Sequence, residues 1–227
     1  EAGRFAEAVT SGRKEGTAQS LMIAGRSIST IAAFQTTDRK LAREQLLQAE
    51  RDFDASLALQ PGNPDALLQK AIAIGYRAKL ENNIGLAKQT RKNFEALLAK
   101  RPNDALALGA MGGWHGESVA TLGKFLAGTA LGAKEGESLR FYEKAIALPG
   151  ADPAVPVFYA TTLLNLSENN APKAKALLQR AARAKADDGF ERLMQQHARA
   201  ILAPLEKGDV AAAQEKAKRL GPLGTLR

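Results

Sequence analysis

The chain has no cysteine and only two histidines, His115 and His197. Without thiols there is no disulfide, no thiolate metal site and no cysteine nucleophile, and two imidazoles alone do not complete a zinc shell. Aromatic residues make up 5% of the chain, with a single tryptophan, too few to build the stacking platforms that single-stranded nucleic acid needs. No stretch approaches the roughly 20 apolar residues of a membrane-spanning helix. Proline is sparse, and Pro61, Pro64, Pro102, Pro153 and Pro172 stand where helices would stop or start, so the 45% hydrophobic content reads as a folded chain and not a disordered one. Neither sign of charge is concentrated. Lys and Arg outnumber Asp and Glu by 32 to 24, for a net charge of +8, but the two signs alternate along the helices. That dispersion argues against nucleic acid and leaves an anionic protein partner or a peripheral contact with an anionic membrane surface.

Catalytic motifs are missing as well. The phosphate-cradling pattern G-x-x-x-x-G-K-[ST] has no match, because GESVATLGKF has the wrong spacing and puts Phe125 where a hydroxyl is required. There is no G-x-S-x-G elbow. His115 and Glu117 in HGES are two residues apart, which turns them to different faces of a helix. The expectation is therefore a non-enzymatic protein with no catalytic residue, no metal ligand and no cofactor.

What is present is a recurring pattern: AERDFDASLALQPGNPDALLQKAIAIGY, then RKNFEALLAKRPNDALALGAMGG, then SLRFYEKAIALPGADPAVPVFYATTLL. Each reads as an amphipathic helix, a turn and a second helix. Gly12 and Gly16 predict a short or frayed first helix, and SLMIAGRSISTIAAF a better one. Asp38 suits the N-cap of a long helix whose apolar face is Leu41, Leu46, Ala49, Phe53 and Leu57. Pro61 ends that helix and Pro64 fits the first turn of the next. Further helices are expected over 64–82, 84–100, from 105, and over 171–184, 188–204 and 208–220. The fold class is all-α: a single domain over 1–227 of roughly five antiparallel hairpins, open or closed into a compact bundle. Residues 187–220 read as capping helices, with Phe190, Leu193, His197, Ile201 and Leu205 as a packing face or a dimer face. Residues 112–136, GGWHGESVATLGKFLAGTALGAKEG, break the grammar. Each glycine weakens a helix by about 1 kcal/mol, so the run calls for close backbone approach, a hinge or a bound ligand.

The units resemble the tetratricopeptide repeat (TPR) family most clearly over residues 41–186. That family sets an aromatic eight positions before a helix-ending residue, as Phe53 stands before Pro61, Phe94 before Pro102 and Tyr142 before Gly150. Leu108, Met111 and Gly112 fit its packing positions, and so do Leu67 and Ala71, with Lys70 as a departure; Ala174, Leu178 and Ala181 form a fainter unit. Phe53, Phe94, Tyr142 and Leu178 are separated by 41, 48 and 36 residues, against the family's period of about 34, which implies lengthened helices and an insertion after Trp114. Irregular bundles of this kind resemble bacterial envelope proteins that accompany transport systems, including the TPR component of some TRAP-type transporters.

The resemblance implies an inner surface built from Leu68, Ile72, Gly75 and Tyr76, then Gly109, Gly113, Gly116 and Glu117, then Val157, Thr161, Leu164 and Asn165. This surface is apolar and small, and lacks the Lys and Asn set that grips a peptide carboxylate in chaperone-binding members. Trp114 and His115 read either as core or as pocket lining beside the glycines, with Phe125 as lid or wall. Three occupants fit such a surface: an apolar segment of a protein partner, a hydrophobic small molecule such as a sterol-like lipid, or the chain itself. The expected function is an interaction scaffold or adaptor in an envelope or transport assembly, with a periplasmic lipid carrier as the alternative. The start at Glu1 without methionine favours a periplasmic or envelope location over the cytoplasm.

Overall fold

The computed structural model describes residues 4–149 and 152–227. Among these the chain is all-α, as expected: eleven α-helices with a π-helical turn and a 3-10 turn, and no strand. They are α1 (Phe5–Glu15), α2 (Ala18–Phe34), α3 (Arg39–Leu59), α4 (Pro64–Glu81), α5 (Ile84–Lys100), α6 (Ala105–Leu126), α7 (Glu135–Ala147), α8 (Ala154–Leu166), α9 (Ala171–Arg183), α10 (Gly189–Glu206) and α11 (Val210–Leu220). Short polar side chains set most of the starts by accepting from first-turn amides that have no helical partner. Asp38 accepts from Leu41, Asn63 from Asp65 and Ala66 just ahead of Pro64, and Asp104 from Ala107. The first helix is regular, because Gly16 supplies the left-handed cap at φ 68° that ends it. Gly150, aligned with the helix-ending prolines, lies outside the described residues.

The helices group into two compact units, where the sequence suggested one domain: Arg4–Lys100 with Pro222–Arg227, and Arg101–Gly221. In the first, α1 packs on α2, α2 pairs with α3, α4 pairs with α5, and both α2 and α3 touch α4. Phe53 of α3 is fully buried in a cluster with Val9, Ile28, Ala49 and Ala73. Its ring lies so close to Gly25 of α2 that an added methyl there would sit 2.7 Å away. Leu41 falls just off the buried face and is exposed, and Ala42 takes its place. The acids of α3 tie its neighbours: Arg13 of α1 clasps Asp52 at 2.8 and 3.0 Å, and Arg77 of α4 clasps Glu50 at 2.6 and 3.0 Å.

In the second unit the pairs are α6 with α7, α8 with α9, and α10 with α11. The first helix of each later pair is touched by both helices of the pair before it: α6 and α7 meet α8, then α8 and α9 meet α10. Helix α11 also packs on α8, a contact that an open superhelix would not make. Residues 112–136, where the sequence departs from the repeat pattern, are mostly helix. Helix α6 continues to Leu126, bent at Gly123, whose φ of 77° and ψ of 157° lie outside the helical region, and a π-helical turn over Ala127–Leu131 follows. Of the face expected on α10, Ile201 and Leu205 are buried while Phe190, Leu193 and His197 are half-buried, and Met194 and Ala198 are buried beside them.

Candidate functional site

The inner-surface residues expected on α4 lie in the first unit. Leu68 is buried, whereas Ile72 and Tyr76 are half-buried. Tyr76 meets the edge of Phe34 with centroids 6.3 Å apart and packs, together with Leu226, against Ala32, Ala42, Leu46, Leu80 and Leu223. The residues covering this face thus include a segment that sequence reasoning did not place there. Residues 222–227 run past the end of α2, where the last-turn carbonyls have no helical donor. The Leu223 amide donates to Ala33 O at 2.6 Å and the Arg227 amide to Thr37 O at 3.0 Å; the Thr225 hydroxyl donates to Thr36 O at 2.9 Å. Leu223 is buried and holds φ at 66°, a left-handed conformation that costs a non-glycine residue about 1–2 kcal/mol. Its buried side chain and its hydrogen bond offset that cost.

In the second unit the small face of α6 is filled by its own neighbours. A methyl on Gly112 would sit 2.8 Å from the Tyr142 ring, on Gly113 3.1 Å from the Tyr142 hydroxyl, on Gly116 2.3 Å from Thr162, and on Gly109 3.2 Å from Val155. The glycines are there for close approach of α7 and α8. Trp114 and His115 are buried in edge-to-face contact at 5.0 Å, and His115 stacks on Phe141 at 5.8 Å. The Lys134 amide donates to His115 Nδ1 at 3.2 Å, which pins the segment entering α7 to α6. Val157 and Thr161 are buried on α8. Phe125, expected as lid or wall, is 78% exposed.

Several polar groups in this unit are bound into packing, while Asn165 Oδ1 and Arg192 Nε are buried without a hydrogen-bond partner. Tyr142 and Tyr159 stack with centroids 4.7 Å apart, and the Tyr142 hydroxyl bonds to Thr162 at 3.2 Å. Tyr159 donates to Glu143 at 2.6 Å, and Lys173 pairs with the same carboxylate while lying over the Tyr159 ring. Burial, reinforced by that carboxylate, pushes the Tyr159 hydroxyl up to about 12. Burial lowers the His197 imidazole to about 4, so it stays neutral at ordinary pH. Among the described residues no group of three or more His, Cys, Asp or Glu could hold a metal ion, and no helix is long and apolar enough to cross a membrane. Two surface features stand out: residues 222–227 laid along the end of α2, and the exposed apolar side chains at the end of α6. No protein-family model matches the chain, and a search of curated proteins finds no match.

Proposed function

We propose that this chain is a non-enzymatic, TPR-like interaction scaffold that recognises short, extended, leucine-bearing segments of a protein partner, in an envelope or transport assembly. The supporting observation is the seating of residues 222–227 on the first unit. Carbonyls at the end of α2 and in the following turn take up donors of the segment, and two leucines pack with Tyr76. In such a seat main-chain hydrogen bonds would supply affinity for an extended segment and apolar sockets selection, as they do where a peptide adds to a sheet edge. The chain's own segment is the occupant at hand, and a partner segment of like pattern would compete for its place. The envelope location rests on the resemblance of the repeats. The lipid-carrier reading is not favoured, because the glycine face it would use is filled by Tyr142, Ser138, Val155 and Thr162.

The test is fluorescence anisotropy with a labelled peptide of sequence PLGTLR, using the full chain and its Leu223→Asp/Leu226→Asp variant. The variant is expected to release its own segment and bind the peptide about tenfold more tightly than the native chain, which must first displace it. A variant that keeps native helicity and binds no peptide would overturn the reading.

A further inference from the structure

Among the described residues seven large hydrophobic side chains are exposed: Ile23, Leu41, Leu59 and Ile84 stand apart from one another along the chain, while Leu122, Phe125 and Leu126 fall within five residues. Single exposed apolar residues are ordinary, but a cluster marks a contact surface. All of residues 120–126 are exposed, and Gly123 breaks the helix in their midst with φ at 77°. The cluster is therefore a projection. A partner helix or peptide is recognised by a groove, whereas a bilayer interface accepts a convex apolar wedge. Charge points the same way. From Ser118 to Lys134 the only charged residues are Lys124 and Lys134. Lys124 is 78% exposed and pairs with Glu135 at 2.8 Å, a surface pair weak enough to exchange, and its long stem lets the ammonium stay at headgroup level while its neighbours go deeper. The chain as a whole carries a net charge of +8.

We infer that residues 120–126 are a membrane-surface anchor that places Leu122, Phe125 and Leu126 in the headgroup boundary of an anionic bilayer, with Lys124 on its lipid phosphates. The mode is peripheral, to a depth of about 5–10 Å. It is independent of the peptide-binding reading, since it uses other residues in the other unit.

The experiment is flotation of the full chain with vesicles of phosphatidylcholine, with or without about one third phosphatidylglycerol. The native chain is expected to float with the anionic vesicles and to lose binding as salt rises. Phe125→Asp/Leu126→Asp, at exposed positions that leave the fold intact, is expected to weaken binding about tenfold or more, and Lys124→Glu about fivefold. In Phe125→Trp the new indole should shift its emission to the blue on anionic vesicles, above the constant signal of buried Trp114. The inference is overturned if the native chain does not float, or if Phe125→Asp/Leu126→Asp floats as well as the native chain. It is equally overturned if flotation fails while that variant alters the mass of the free chain in solution, which would make the tip a contact between protein copies.

Discussion

In the first unit Phe53 of α3 lies over Gly25 of α2, and Ser56, one turn further on, donates to Ala18 O at 2.7 Å. In the second unit Tyr142 of α7 lies over Gly112 of α6, and Ser138, one turn earlier, donates to Gly112 O at 2.7 Å. The device is the same: a glycine lets an aromatic ring approach the backbone of the preceding helix, and a buried serine ties the two helices together. The difference is one hydroxyl. Phe53 is satisfied by an apolar cluster, whereas Tyr142 needs a partner for its oxygen and finds Thr162 on α8. The second unit therefore carries a buried polar link from one hairpin to the next, and its tolerance for change should be lower around α6 and α8. The units also close differently, one with an irregular segment of six residues and the other with a helix, α11, laid on α8.

The largest effect should come from removing the ring that the first unit depends on. Phe53→Ala is expected to destabilise by about 3–5 kcal/mol, read by denaturant unfolding, with hydrogen exchange accelerated in α2 and α3. Nearly as large is the burden of His197. Its folded value near 4 lies below the ordinary value near 6.5, so between these the unfolded chain binds a proton that the folded chain does not. Stability is full above about pH 6.5 and falls as pH drops towards 4, by on the order of 3 kcal/mol. His197→Gln should flatten that slope in urea titrations across the range.

Gly116→Ala sharpens the comparison of α6 with α2, because its methyl would meet Thr162 at 2.3 Å and the Ser138 oxygen at 2.7 Å. Overpacking of this kind costs about 1–3 kcal/mol, against a helix-propensity gain of about 1, so a net loss near 1–2 kcal/mol is expected in thermal unfolding. The double change Gly116→Ala/Thr162→Ser should recover much of it. Leu226→Asp should cost about 1 kcal/mol, and exchange should quicken at the amides of Leu223 and Arg227, with α6 to α11 unchanged. Phe125→Asp, on a side chain that touches little, should leave stability within about 0.5 kcal/mol.

Most of the helical pattern was legible because its punctuation is local. Asp38 acts on the amides beside it and Pro64 needs no partner for an amide it lacks, so their types alone mark the starts of α3 and α4. Phe53, Phe94 and Tyr142 were singled out by their resemblance to the TPR aromatic eight positions before a helix end, and all three are buried. The glycines of α6 were not. Composition says that something approaches closely, but Tyr142, Ser138 and Thr162 come from two later helices, and only three-dimensional packing brings them to Gly112, Gly113 and Gly116. The run of glycines over 112–136 announced close backbone approach or a hinge, and the helix carries both, the approach at Gly112 and Gly116 and the bend at Gly123. Phe125 was read as lid or wall beside the glycines, and it stands instead in a run, 120–126, that is exposed on both sides of the bend at Gly123, an exposure that no periodicity encodes. Residues 222–227 lie beyond the last helical pattern, and their place depends on carbonyls some 189 residues earlier.

That separation has a consequence for synthesis. Thr36 leaves the ribosome long before Thr225, its hydrogen-bond donor, and at about 5–20 residues per second the interval is roughly ten to forty seconds. During this wait the end of α2 and the flank of Tyr76 stand uncovered in a half-made chain, a surface on which chaperones or neighbouring nascent chains can settle before residues 222–227 arrive to close it.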